Sequence, residues 1–184
     1  MEKVLDDKFV PELQDICDMK QLFLLLDNWS KSCGMSTMII DNDGKQISEN
    51  FGNKEFCDAI QKNEKGIECC RKIWKSDVKG GHECPFGFWE FSIPLTLPNG
   101  QTVGKVIAGQ ALSIHQKDEK IISKVKEIGI DDRQIKEILA QAKRKTNVEM
   151  EGSYGFLKET LDFFIQKSYY IWKHCFIGNY WGFC

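Results

Sequence analysis

The residues in this chain best suited to chemistry are cysteines gathered between Cys57 and Cys84. Four of the eight cysteines stand there: Cys57, the adjacent pair Cys69-Cys70, and Cys84, with His82 just before the last. A thiolate is both a nucleophile and a soft ligand, so such a group can hold a metal, attack an electrophile or respond to oxidation. Zinc knuckles set paired cysteines two to four residues apart, and no pair here does so. The ferredoxin spacings are absent as well. On a helix, Cys69 and Cys70 would point about 100° apart, so one could face a site while the other packs. The plain alternative is four small buried residues beside Trp74 and Trp89.

Thiol catalysis needs a base within reach. His82 is the nearest candidate in sequence, whereas His115 and His174 are distant. Cys84-Pro85-Phe86-Gly87 is like a C-x-x-C redox turn that lacks its second cysteine. No Walker loop, dinucleotide fingerprint or G-x-S-x-G elbow occurs. Asp41-Asn42-Asp43 starts like a calcium loop, but Lys45 and Gly52 occupy later ligand positions and rule it out. At 184 residues, 42% apolar and 11% aromatic, the chain can build one core. A net charge of -2 argues against the basic face that a nucleic-acid binder presents. The opening Met1 to Asp7 is polar, and no apolar run reaches membrane-spanning length. A cytoplasmic location with reduced cysteines is therefore expected.

The elements that must carry these residues follow from periodicity. Residues 9 to 34 read as helical, with Asp18 as an N-cap, an apolar stripe through Leu22, Leu25, Leu26 and Trp29, and Gly34 as the stop. Met35 to Ile40 is a strand, Asp41 to Gly44 a turn, and Lys45 to Ser48 a short partner strand. Asn53 to Gln61 and Gly66 to Val78 form short helices, the second broken by Gly80-Gly81. Trp89, Phe91, Ile93, Leu95 and Leu97 alternate with Glu90, Ser92 and Thr96, which predicts a strand with one face on a core. Pro94 marks an edge or a bulge. Val103 to Leu112 is its partner, where Gly104 and Gly109 leave room for a close approach to the backbone. Two short helices follow, Lys117 to Ile128 and Asp131 to Lys143. From Val148 a long helix carries Tyr154, Leu157, Leu161, Phe164, Ile165, Ser168, Ile171 or Trp172, and Cys175 at helical spacing. The fold class is α+β: a small antiparallel sheet flanked by helices, with residues 1–147 as the core and 148–184 as a terminal helix. That helix either packs on the sheet or closes a homodimer.

Taken in order, Phe56-Cys57, Gly66-Ile67-Glu68-Cys69-Cys70, Cys84-x-x-Gly87, Ile93-Pro94-Leu95 and Gly104 to Gln110 resemble the PocR sensory domain family, over roughly residues 9 to 175. The resemblance implies a PAS-like fold and a role in signal transduction. Such domains accompany DNA-binding or kinase modules in bacterial and archaeal proteins and are thought to sense simple diols and other hydrocarbon derivatives. It also implies that Cys57, Cys69 (or Cys70) and Cys84 recur as a set, which raises the expectation of a zinc or iron–sulfur centre with Cys70 or His82 as a further ligand. Pro85 departs from the family's pattern, where histidine often follows the cysteine. No effector module is read in these residues, so the output is expected to pass to a signalling protein and not directly to nucleic acid. The expected ligand pocket lies between the sheet and the Cys57–Trp74 helices, drawing on Trp74, His82, Trp89, Phe91 and Gln110. Aromatic walls with a few polar groups suit a small molecule with one or two hydroxyls. The competing readings are a thiol- or metal-dependent enzyme and a purely structural dimerisation domain.

Overall fold

In the computed structural model, residues 11–52, 54–76 and 80–178 are described. Residues 9–10, 53, 77–78 and 179–184, which the sequence assigns to helices or to the terminal segment, lie outside that set. A short helix α1 (Leu13–Ile16) leads into α2 (Met19–Cys33). Asp18 caps α2 by accepting the N–H groups of Lys20 and Gln21, and Gly34 closes it in the left-handed region at φ 68°. After β1 (Ser36–Ile40) come α3 (Glu55–Gln61) and α4 (Glu64–Trp74). The cap of α4 is Asn63, whose side chain accepts the N–H of Gly66, so the helix starts before the glycine expected to open it.

The sheet continues through β2 (Gly80–Glu83), β3 (Trp89–Thr96) and β4 (Thr102–Ser113). Helices α5 (Asp118–Glu127) and α6 (Asp132–Gln141) follow, then β5 (Arg144–Lys145) and α7 (Asn147–Gly178). The strands run in the order β1-β4-β3-β2, all antiparallel, with β5 parallel to the end of β4. The fold is therefore α+β with a long C-terminal helix, as the periodicities predict.

Three local expectations need correction. Gly80-Gly81 begins strand β2, which pairs with β3, so it does more than end a helix. Lys45 to Ser48 makes only one isolated bridge, Gln46 to Ile40, after a tight turn in which the Asp41 carboxylate accepts the N–H groups of Asp43 and Lys45. The sheet is covered on both faces, so the strand has more than one face on a core: Glu90 and Ser92 are buried, and only Thr96 of the polar set is exposed. One face carries Phe91, Ile93, Leu95, Val106 and Ala108 against α2 and α7. The other carries Ile107 and Leu112, packed against α3 to α6. Pro94 lies beyond the residues of β3 that pair with β2, so its missing N–H leaves no ladder bond unmade on that side.

Helix α7 supplies the cover for the first face. Leu157, Leu161 and Ile165 are fully buried in the same core as β3, and the Tyr154 ring stacks on Phe91 at 4.5 Å and 12°. Of the two uses expected of this stripe, packing on the sheet is the one these contacts make. Truncating Leu161 to Ala should cost about 2–5 kcal/mol in urea unfolding, as other core leucines do. Val148→Ala, at a position 83% exposed, should change stability by less than about 0.5 kcal/mol. The reverse ranking would contradict α7 as the lid of the core.

Candidate functional site

Behind the sheet, on the face away from α7, a cavity of about 30 Å³ lies between α3, α4 and strands β3 and β4. Cys57, Cys70, Trp74, Cys84, Glu90 and Gln110 line it. Each arrives there for a local reason. On α4, Ile67, Cys70 and Trp74 repeat at three and four residues and share the inward face. Cys69 is turned off that face and packs against the α5–α6 side of the core. The carbonyls of Trp74, the last residue of the helix, and of Ser76 just beyond it accept Nζ of Lys105 from β4 at 3.4 and 2.9 Å, which ties the end of the helix to the sheet. Cys84 sits in the tight turn joining β2 to β3. Its N–H donates to the Phe88 carbonyl at 2.7 Å, and its carbonyl accepts from Gly87, which holds φ 94°.

A β-bulge aims Gln110. Trp89 pairs with Ala111 and Phe91 with Ala108, so Gly109 and Gln110 together oppose Glu90 alone. Strict alternation after Ala108 would send Gln110 to the α7 face; the extra residue returns it to the cavity face beside Gly109. Two features make the bulge possible. A Cβ on Gly109 would lie 2.5 Å from the Glu90 Cβ and 2.9 Å from its Cα. Gln110 takes φ 55°, the one non-glycine residue with positive φ among the described residues. Its amide donates to Ser36 Oγ at 2.9 Å, and its carbonyl oxygen accepts the Cys57 N–H at 3.4 Å. The expected close approach at Gly109 is thus made by the neighbouring strand, as is that at Gly104, where a Cβ would meet the Ile40 carbonyl.

The cavity's charge is local and paired. Glu90 and His82 are directly opposed across β2 and β3, and His82 Nε2 lies 3.0 Å from Glu90 Oε1. The bond to Glu90 raises the His82 pKa above its ordinary 6.5, against the opposing effect of burial. The thiols move the other way from what a nucleophile needs. Burial pushes Cys57 well up, with Cys84 and Cys70 adding to it. Cys70 is raised by burial and then by Cys84 and Glu90. Cys84 is pushed up to about 12 by burial and Glu90, although backbone N–H groups of its own turn offset part of that. At neutral pH all three are protonated, so they are poor nucleophiles and present small, polarisable walls.

The expected site therefore gathers in part. Cys57, Cys70, Cys84, Trp74 and Gln110 meet at one cavity. Trp89 and Phe91 do not, because alternation sends them to the α7 side, where their rings make an edge contact at 6.4 Å. His82 stands behind Glu90. Zinc or an iron–sulfur cluster would need a convergent donor set, and among the described residues no group of three or more His, Cys, Asp or Glu is placed to hold a metal. Nor does any helix among the described residues have the length and apolarity to cross a membrane. Glu90 is the polar group that sequence reasoning missed. Its signal was the single charged residue of the strand, with a histidine in the preceding one.

The family model described as the sensory domain found in PocR matches residues 15–169. One curated relative is the regulatory protein PocR of Salmonella typhimurium, 28% identical over 94 residues, or 47% of this chain and 31% of that protein. The chain thus matches about a third of its relative's length. No solved structure matches.

The His82–Glu90 pair carries a pH signature. A histidine whose folded pKa is raised contributes stability that is fully present below its unfolded value, near 6.5, and lost as pH rises through the folded value. The stability advantage of the wild type over His82→Gln should therefore be greatest near pH 6 and shrink as the pH is raised above 7, measured by denaturant unfolding across that range. An advantage that grows with pH would contradict the pairing.

Proposed function

This chain belongs to the family of sensory domains found in PocR, and on that premise we propose that it senses a small neutral molecule bound in the cavity behind its sheet, without transforming it. The observation that carries this reading is the Glu90–His82 pair beside Gln110 in a thiol- and aromatic-lined space whose other polar groups are Ser36, Asn50 and Gln61. A buried carboxylate accepts hydrogen bonds well, and its charge is already offset by the imidazole. A ligand hydroxyl would donate to Glu90, a second could accept from the Gln110 amide, and the hydrocarbon part would lie against Trp74 and the thiols. Simple diols and short alcohols have that chemistry. The protonated thiols favour a binding site over an enzyme.

The cavity is about the size of one water molecule's share of the liquid, so a ligand must open it. Asn50 is the natural latch. It borders both the cavity and an outer groove of about 770 Å³ beside α2, and its amide donates to Asp58 at 2.7 Å and Gln61 at 3.0 Å on α3. Release of those two bonds would let α3 yield. The message would then leave through β3, since Glu90 faces the ligand while its neighbour Phe91 stacks on Tyr154 of α7. A partner signalling protein would read α7; the relative's name, a regulatory protein, fits such a role. A second reading, a zinc or iron–sulfur centre, rests on the three thiols that share the cavity and requires them to close into a ligand set.

A panel of short alcohols, diols and carboxylic acids at millimolar concentration tests the reading by thermal unfolding. A ligand at 100 times its Kd adds about 2.7 kcal/mol, enough to raise the Tm by several degrees. An alcohol or diol should do so in the wild type and fail to in Glu90→Gln. No shift from any member would overturn the reading. One equivalent of zinc or iron in anaerobically purified protein would instead establish the metal centre.

A further inference from the structure

Once the inward stripe of α7 is buried against its own sheet, a second apolar file remains on its outer side. Phe156, Phe163 and Tyr170 are 68%, 65% and 51% exposed and recur every seven residues, which keeps them on one line along the helix. Beside Phe156, between α2 and α7, lies a shallow groove of about 300 Å³ walled by Leu25, Trp29 and Thr160. Charge along the helix is divided. Residues 147–163 carry Glu149, Glu151, Glu159 and Asp162 against Lys158 alone; residues 164–178 carry Lys167 and Lys173 and no carboxylate.

We propose that α7 pairs antiparallel with α7 of a second copy of this chain, across the file Phe156–Phe163–Tyr170. A two-fold axis near Phe163 sets Phe156 of one copy toward Tyr170 of the other, whose ring enters the groove beside Phe156. Symmetry repeats that contact at the other end, as an isologous interface requires. Orientation follows from charge. Packed helices lie about 8–10 Å apart, comparable to the screening length at physiological salt, so unlike charges still attract across the pair. Antiparallel pairing lays the acidic half against the basic half. Parallel pairing lays each half against its like, which costs affinity. The ammonium of Lys167 already sits 5.5 Å over the Phe163 ring, at the edge of the file, where it can meet Glu159 of the second copy.

Light scattering on the full chain at tens of micromolar should give twice 21.2 kDa. Phe163→Glu should raise the dimer Kd by about 100-fold or more, as loss of a central interface aromatic does, with Tm in the dilute monomer unchanged because the ring is exposed. Glu159→Lys should weaken the dimer about tenfold, and adding Lys167→Glu should restore it to within about threefold, since rim charges act in pairs. Only the antiparallel arrangement brings 159 against 167. A single species of 21.2 kDa, a dimer indifferent to Phe163→Glu, or a charge swap without rescue would each overturn the proposal.

Discussion

The site depends on one irregularity, the placing of two residues of β4 opposite one residue of β3. Without the bulge at Gly109 and Gln110, the alternation of β4 would carry Gln110 into the α7 core, where its amide would find no partner and cost several kcal/mol. With it, Gln110 reaches Ser36 on one side and the α3 backbone on the other, tying β1, β4 and α3 around a single side chain. The arrangement needs a glycine at 109, because a Cβ there would strike backbone and Cβ atoms of Glu90 and Trp89 that cannot move aside. It also holds Gln110 in a backbone region that non-glycine residues seldom occupy, a strain of the kind that accumulates at binding sites.

The same strand pair joins the two halves of the molecule. Successive residues of β3 point to opposite faces, so Glu90 meets His82 and the thiols while Phe91 meets Tyr154. On the proposed reading, a displacement of Glu90 would pass to α7 through one peptide unit and one ring stack. Few contacts separate the cavity from the helix that covers the sheet. A sheet with one solvated face could not do this, because nothing would be packed on its far side to move.

Much of this was legible in the residues, and the errors have physical sources. The cap at Asp18, the stop at Gly34, the pairing of β3 with β4 and the long terminal helix all follow from local chemistry and period, which tertiary packing did not override. Helical phase points to Cys70 as well: Ile67, Cys70 and Trp74 share a face, and Cys69 does not. What stayed hidden was set by pairing. Alternation in β3 gives one face on a core, and it does not say that α3 and α4 also bury Glu90 and Ser92 on the other. The side of β3 that Trp89 and Phe91 occupy is legible from alternation, but which side holds a cavity is not. A one-residue bulge in β4 leaves no mark beyond a glycine followed by a polar residue. Residue type alone does not show that burial and the nearby Glu90 carboxylate raise the pKa values of Cys70 and Cys84.

The central claim is that a ligand occupies the cavity between Cys57, Cys70, Cys84 and Glu90. The rate at which a small alkylating reagent modifies each cysteine, followed by peptide mass spectrometry with and without a stabilising ligand, tests it most directly. Cys17 provides the reference, since it is buried on the α7 side of the sheet and reports unfolding of the whole domain. The account predicts that ligand slows modification of Cys57, Cys70 and Cys84 by a larger factor than Cys17. Equal slowing at all four, or none at the three cavity thiols, would place the ligand elsewhere and contradict it.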